Sequence, residues 1–164
     1  MPRCALPFLR LGRQVSHVGS LPESFLMFQQ RSMATSTKVS ALSLNAKKRK
    51  GNKITMVTAY DYPSAVHVAR AGMDLVLVGD SVAMVELGHE TTQRLSMDHI
   101  IHHCQSVKKG LEFVRSGSML VGDMPFGSYE YDDTDVALRN AYRFVKEGGC
   151  DAVKLEVTIQ NKCD

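Results

Sequence analysis

The sequence predicts an α/β protein built on parallel strands, as either a doubly wound sheet or part of a barrel. Four short apolar runs alternate with three segments whose apolar residues recur at helical spacing, which is typical of repeated βα units. Each of the last three runs is followed by an acidic residue. The chain contains neither G-x-G-x-x-G nor a P-loop motif, so no motif in it indicates a nucleotide phosphate site.

The first unit begins with a strand predicted over residues 54–60. This segment is rich in β-branched and apolar residues, as expected of a buried parallel strand. Pro63 suits the first turn of a helix, and residues 64–71 continue that helix until Gly72 ends it. Asp61 stands where it would cap the helix or its turn, and we expect that role of it rather than ligand binding.

The second unit starts with a strand predicted over residues 75–79. A loop is predicted over residues 82–95, and Ser96 is expected to cap the next helix, with Asp98 in the first turn where negative charge is favourable. One face of this helix is apolar, and it is formed by Met97, Ile100, Ile101, Cys104, Val107 and Leu111.

The remaining elements are a strand over residues 118–122, a helix that starts within residues 132–135 and a strand over residues 152–155. The acids of residues 132–135 favour a helix N-terminus, and Gly148 and Gly149 end the helix. Its predicted buried stripe consists of Ala137, Leu138, Ala141, Phe144 and Val145.

Charge divides the chain into two regions. Residues 1–50 hold nine Lys/Arg and one acid, whereas the remainder holds 11 Lys/Arg and 16 Asp/Glu, a net charge of −5. Residues 1–36 are rich in Arg and Ser and poor in acids, which is typical of a mitochondrial matrix-targeting segment; a tail without an address is the alternative. Residues 37–52 are interpreted as a linker or boundary, and the basic run 47–50 as a solvated surface rather than a nuclear signal.

The acidic folded region argues against nucleic-acid binding, because such proteins normally carry positive charge on the folded domain. No apolar run approaches the roughly 20 residues that a membrane-spanning helix needs. The four cysteines lack the spacing of a zinc or redox motif, so buried free thiols are expected. They are Cys4, Cys104, Cys150 and Cys163.

The three acids that follow apolar runs are Asp80, Asp123 and Glu156. Because parallel strands end at the same edge, these carboxylates are expected to meet at one mouth of the fold, where ligands bind. Like charges repel unless a cation lies among them, and hard oxygen ligands favour Mg²⁺ or a similar ion. Lys154 shares a strand face with Glu156, so the alternative is a buried Lys154–Glu156 ion pair without a ligand.

One serine and three histidines are weaker candidates. Ser81 could donate a hydrogen bond to a bound carboxylate, or it could simply cap a turn or helix. His102 and His103 lie mid-helix, where packing and surface roles are more common than ligation. His89 lies in a glycine-flanked loop, where it could close over a ligand or stabilise the loop.

Five sequence pieces occur in an order that is similar to one enzyme family. They are Lys53-Ile-Thr-Met-Val-Thr-Ala-Tyr-Asp-Tyr62, Val78-Gly-Asp-Ser81, Gly88-His89, Val121-Gly-Asp-Met-Pro-Phe126 and Val153-Lys-Leu-Glu156. Together they resemble ketopantoate hydroxymethyltransferase, a magnesium-dependent (βα)8 TIM-barrel family whose members are usually large homo-oligomers. The resemblance implies that residues 53–156 are the N-terminal half of such a barrel, about four βα units.

The resemblance also implies a reaction and a set of site residues. A hydroxymethyl group would pass from 5,10-methylenetetrahydrofolate to 3-methyl-2-oxobutanoate, giving 2-dehydropantoate for pantothenate and coenzyme A, through an enolate stabilised by Mg²⁺. Asp80, Asp123 and Glu156 resemble the metal carboxylates. Asp80, Ser81, Asp123 and Lys154 resemble the residues that bind the keto acid.

The resemblance ends at Glu156. The family continues Lys-x-Glu with two glycines, whereas residues 157–164 read Val-Thr-Ile-Gln-Asn-Lys-Cys-Asp, and the family's general base is a glutamate beyond them. The chain is therefore expected to be a C-terminally truncated form with a divergent tail and no catalytic base of its own. Two other functions stay open: a related magnesium-dependent lyase acting on C–C or C–P bonds, and a non-catalytic isoform that binds full-length subunits.

Overall fold

A parallel four-stranded sheet forms the centre of the fold. The computed structural model describes residues 37–130 and 134–156. The strands are β1 (Met56–Thr58), β2 (Leu75–Val78), β3 (Met119–Asp123) and β4 (Ala152–Lys154), and they lie side by side in chain order. Every neighbouring pair is parallel. A doubly wound sheet reverses its strand order at a switch point, whereas a barrel keeps it. The order therefore confirms the α/β class and agrees with a segment of a barrel.

The described residues also form five α-helices and one 3-10 turn. These are α1 (Ala41–Arg49), α2 (Tyr62–Arg70), α3 (Val82–Val85), a 3-10 turn (Thr92–Arg94), α4 (Met97–Phe113) and α5 (Thr134–Lys146). Within residues 37–130 and 134–156, no helix combines the length and the apolar character that crossing a membrane requires.

Local capping signals position α2 and α4 as the sequence predicts. The Asp61 side chain accepts a hydrogen bond from the backbone N–H of Ser64 at 2.8 Å, so Asp61 is a helix cap. Gly72, just past α2, takes a φ of +75°, a left-handed value that favours glycine. Ser96 accepts a hydrogen bond from the backbone N–H of His99 at 3.2 Å and thereby caps α4.

The prediction for the first strand is wrong in length and in burial. Instead of residues 54–60, β1 contains only Met56–Thr58, and all three are exposed; Met56 is 53% exposed. The reason is that β1 lies at an edge of the sheet, where it pairs with β2 alone among the described strands. The prediction of a loop over residues 82–95 is also partly wrong, because this segment contains α3 and the 3-10 turn.

The predicted buried stripe of α5 is mostly not buried. Of its five residues Phe144 is buried, Ala137 and Ala141 are half-buried with Ala141 packed against the core, and Leu138 and Val145 are 55% and 52% exposed. Phe144 faces the sheet, where a Cβ on Gly122 would lie 2.3 Å from its ring. No described element covers the side of α5 that carries Leu138 and Val145, so their apolar character does not translate into burial here.

Some predictions concern residues outside those that the structure describes. They are the targeting segment over residues 1–36, the helix start at residues 132–133, the tail over residues 157–164, and the states of Cys4 and Cys163; these stay predictions. The other two cysteines, Cys104 and Cys150, are free thiols buried in the core, as expected.

The segment interpreted as a boundary contains a helix that the sequence analysis missed. Ser40 and Ser43 form a reciprocal capping box at the start of α1. At the other end, the Lys47 ammonium lies 2.5 Å from a carboxylate oxygen of Asp74, directly before β2. Lys38 makes a similar pair with Asp151, directly before β4. The basic run is therefore not simply solvated, because Lys47 attaches α1 to the N-terminal ends of the strands.

The Asp74 pair predicts a pH-dependent stability. The contact with Lys47 and, to a smaller extent, the hydrogen bond from the Thr55 N–H hold the pKa of the Asp74 carboxyl below its ordinary value of 3.8. A carboxyl whose pKa is lower in the folded chain stabilises the fold above that ordinary value and loses its contribution as the pH falls through the folded pKa. Asp74→Asn should therefore lower the free energy of unfolding by about 2 kcal/mol at pH 7.

This difference between Asp74→Asn and the wild-type chain should shrink as the pH is lowered from about 4 towards 2. Urea titrations followed by circular dichroism would measure it. Glu86→Gln, which neutralises an exposed carboxylate, is the control. It should change the free energy of unfolding little, both at pH 7 and at low pH. A penalty for Asp74→Asn that is constant across this pH range would contradict the prediction.

Candidate functional site

The C-terminal ends of the strands bring the three predicted acids together. Asp123 is the last residue of β3, Asp80 lies two residues past β2 and Glu156 two residues past β4. One carboxylate oxygen from each lies within 4.8 Å of the others. The backbone N–H of Asp80 also donates a hydrogen bond to Asp123 at 3.2 Å, which ties the ends of β2 and β3 to each other.

Lys154 lies among these acids. Its ammonium is 2.8 Å from both carboxylate oxygens of Asp123 and 2.9 Å from one oxygen of Glu156. The Lys154 and Glu156 side chains therefore lie on the same side of the chain at the end of β4, as their spacing predicts. The Lys154–Glu156 ion pair, considered as the alternative, is present. The pair between Lys154 and Asp123 is the more buried of the two, because the side chain of Asp123 is only 3% exposed, whereas that of Glu156 is 68% exposed.

The environment favours positive charge beside Asp123. Burial raises the pKa of the Asp123 carboxyl, and hydrogen bonds from Lys154 and from the Asp80 N–H only partly offset this. Burial alone would lower the pKa of Lys154, but its bonds to Asp123 and Glu156 outweigh that effect and raise it. Lys154 thus stays an ammonium, and a further cation would help to keep the buried carboxylate ionised.

The chemistry of the donor set fits a hard divalent cation. All three candidate ligands are carboxylates, and each carboxylate keeps lone pairs beyond those that Lys154 uses. One oxygen of each carboxylate already lies within 4.8 Å of the others, and carboxylate oxygens are ligands that Mg²⁺ accepts in proteins. Glu156 has the most freedom to adjust its position, because it is the most exposed of the three.

Ser81 does not serve as the helix cap that the sequence left open. It stands directly before α3 but makes no capping hydrogen bond with its side chain. Its hydroxyl instead lies 2.8 Å from the hydroxyl of Tyr60. Sequence reasoning missed Tyr60, although it lies two residues past β1, as Asp80 lies past β2 and Glu156 past β4. That position was the available signal.

The histidines do not join the acid cluster. His103 bonds through Nδ1 to the backbone carbonyl of Tyr60 at 2.7 Å, which is a structural contact. The exposed His102 stacks edge-on against His103, with 5.7 Å between ring centroids. His89 is half-buried, and its backbone N–H donates to the carbonyl of Ala83 at 2.8 Å, so this residue contributes to the loop conformation.

A pocket of about 220 Å³ opens beside the carboxylates. Its wall combines acids, amides and apolar side chains, and consists of Asp80, Thr92, Gln93, Met124, Phe126, Tyr129 and Glu156. The Tyr129 hydroxyl donates to the carbonyl of Glu156 and accepts from its N–H, both at 3.1 Å. Tyr129 therefore holds the backbone of a candidate ligand residue, a role that its sequence position does not reveal.

Comparison with known proteins identifies similar chains. Residues 38–163 match the family model described as ketopantoate hydroxymethyltransferase. The chain is similar to 3-methyl-2-oxobutanoate hydroxymethyltransferase 1, mitochondrial, of Oryza sativa subsp. japonica, with 52% identity over 73% of this chain and 31% of the relative. The protein of the same name from Arabidopsis thaliana is 44% identical over 87% of this chain and 40% of its own length.

A bacterial relative is similar over a comparable part of this chain. The 3-methyl-2-oxobutanoate hydroxymethyltransferase of Moorella thermoacetica is 48% identical over 76% of this chain and 44% of its own length. The chain thus spans less than half the length of these three curated relatives. The matched region contains every strand and every candidate site residue described above.

Proposed function

We propose, because this chain belongs to the ketopantoate hydroxymethyltransferase family, that it carries the metal- and keto-acid-binding residues of a 3-methyl-2-oxobutanoate hydroxymethyltransferase. The reaction would transfer a hydroxymethyl group from 5,10-methylenetetrahydrofolate to 3-methyl-2-oxobutanoate and form 2-dehydropantoate. The observation that carries the proposal is the meeting of three carboxylates and one ammonium at the C-terminal ends of successive parallel strands.

Each site residue has a role in this proposal. Asp80 and Asp123 would hold Mg²⁺ directly, and Glu156 would contribute at longer range, in keeping with its exposure. When bound, Mg²⁺ would stabilise negative charge that develops on the keto oxygen. The positive charge of Lys154 would also attract the oxygens of the keto acid. Ser81 would donate a hydrogen bond to the carboxylate of the keto acid.

The pocket suits a small branched keto acid. Met124, Phe126 and Tyr129 provide apolar surface beside Asp80 and Glu156, so the branched alkyl group and the charged end of 3-methyl-2-oxobutanoate would each meet a matching surface. A lyase acting on phosphorus-containing acids would need additional positive charge for its substrate. The family match likewise favours the transferase over the lyase.

We also propose a mitochondrial location and assembly with further copies. The two plant relatives described above are named as mitochondrial, and the Arg-rich, acid-poor residues 1–36 fit import into the matrix. Assembly into a homo-oligomer rests on the family resemblance. So does the use of a folate co-substrate.

Ligand-dependent stability tests the proposed substrate class. With Mg²⁺ present, 3-methyl-2-oxobutanoate should raise the melting temperature of the chain, because a ligand at 100 times its Kd adds about 2.7 kcal/mol to the stability of the folded state. Pyruvate should stabilise less, since it lacks the branched alkyl group, and phosphoenolpyruvate should stabilise little. EDTA should abolish the effect of the keto acid. Equal stabilisation by phosphoenolpyruvate, or stabilisation that survives EDTA, would contradict the proposal.

A further inference from the structure

We infer that Tyr60 is a positioning residue for the keto acid. Its phenolic hydroxyl fixes the hydroxyl of Ser81, so that the Ser81 proton is directed to the bound acid. This inference rests on the proposed function, because it explains how Ser81 could act in the role given to it there. It extends the site to the end of β1, the one strand of the four that supplies no acid to the cluster.

The position of Tyr60 is fixed from three directions. Ala59 donates a hydrogen bond to the carbonyl of Leu77 at 3.0 Å, which keeps the chain beside β2 after β1 ends. The N–H of Tyr60 donates to the hydroxyl of Ser64 at 3.3 Å, and its carbonyl bonds to the ring of His103 at 2.7 Å. The Tyr60 side chain therefore extends towards the end of β2 from an immobilised backbone.

Ser81 is available to Tyr60 because it does not cap α3. A capping serine normally has an extended backbone, whereas Ser81 has φ −56° and ψ −13° and makes no capping bond. Its oxygen also lies near Gly79, where an added Cβ would be 3.0 Å from it. The absence of a side chain at Gly79 thus leaves room for the Ser81 hydroxyl beside Tyr60.

The two hydroxyls are 2.8 Å apart and either one could donate. A phenolic O–H is a stronger hydrogen-bond donor than the O–H of an aliphatic alcohol, so we assign the donor role to Tyr60. The Ser81 oxygen then accepts, and its own proton stays free for another acceptor. Because a hydrogen bond received by a hydroxyl strengthens the one that it gives, Tyr60 would make Ser81 a better donor to the carboxylate of the keto acid.

A double-mutant cycle tests this inference. Calorimetry would measure the affinity for 3-methyl-2-oxobutanoate in the presence of Mg²⁺ for the wild-type chain, Tyr60→Phe, Ser81→Ala and the double variant. We expect a loss of about 10-fold for Ser81→Ala and about 5-fold for Tyr60→Phe, since each removes about one hydrogen bond. The double variant should bind no more weakly than Ser81→Ala, because Tyr60 acts through Ser81.

Two further variants keep the test decisive. Tyr62→Phe removes the hydroxyl of an exposed neighbouring tyrosine and should leave affinity unchanged. Gly79→Ala adds a Cβ 3.0 Å from the Ser81 oxygen and so displaces that hydroxyl from its position beside Tyr60; it should weaken binding in the wild-type background but not in Ser81→Ala. This variant supplies the answer if Tyr60→Phe does not fold.

The outcomes separate the inference from the proposed function. If the wild-type chain does not bind the keto acid with Mg²⁺, the proposed function fails and the inference fails with it. If Ser81→Ala weakens binding but Tyr60→Phe does not, the proposed function stands and the inference is overturned. Losses that multiply in the double variant to about 50-fold would also overturn it, because the two hydroxyls would then act independently.

Discussion

Replacing Gly122 with alanine should lower the free energy of unfolding by about 3 kcal/mol, at the upper end of what overpacking usually costs. An added Cβ would lie 2.3 and 2.6 Å from two ring carbons of Phe144 and 3.0 Å from the sulfur of Cys150. Phe144 is fully buried, so its ring has no solvent-facing position to move into. Relief would require β3 and α5 to separate, which would disturb the core between them.

Urea titration followed by circular dichroism would measure this loss of stability. Combining Gly122→Ala with Phe144→Leu removes the outer ring atoms, so the double variant should be more stable than the sum of the two single effects. Gly127→Ala is the matched control, because no atom lies within 4 Å of its added Cβ and only its φ of +81° opposes the change. If Gly122→Ala costs no more than Gly127→Ala, steric contact with Phe144 is not what requires glycine at this position.

Replacing Asp123 with asparagine should weaken metal-dependent binding of the keto acid by about 100-fold. The substitution keeps the shape of the side chain but removes the charge at the centre of the cluster. It also turns an amide towards Lys154 and the Asp80 N–H, which both donate to Asp123. Titration with Mn²⁺, observed by electron paramagnetic resonance, would measure cation binding directly and without turnover.

Asp74→Asn is the matched control for that experiment. Asp74 is also nearly buried and paired with a lysine, since its side chain is 9% exposed and lies 2.5 Å from Lys47, but it stands at the opposite ends of the strands. This control should reduce stability and leave cation affinity unchanged. Equal Mn²⁺ affinity in Asp123→Asn and the wild-type chain would show that Asp123 is not a metal ligand.

The position of the acid cluster was predictable because it depends only on strand pattern and chain direction. Parallel strands end at one edge, so acids at or just past the ends of three strands must converge there. The pairing of Ser81 was not predictable, since a serine before a helix can cap it or turn elsewhere, and the choice depends on backbone angles. Tyr60 was missed for a related reason: the contact partner of its hydroxyl lies 21 residues away in the chain.

The wrong predictions have a common physical cause. Periodicity identifies the apolar side of an element, but burial depends on what packs against that side. Met56 and Val57 of β1 and Leu138 and Val145 of α5 are apolar, yet they are exposed because no other described element covers them. Helix α1 was missed because its basic run looked like a solvated surface, whereas Lys47 finds its charge partner 27 residues further on.

The lysine–aspartate pairs before β2 and β4 lie one strand length from the acid cluster, on the order of 15 Å. This separation has an evolutionary consequence. Substitutions around the mouth can alter ligand preference while the attachments of Lys38 and Lys47 continue to anchor the chain at the far side. Natural variation that changes specificity should therefore be tolerated most readily around the mouth, and loss of either lysine should make such variants harder to accommodate.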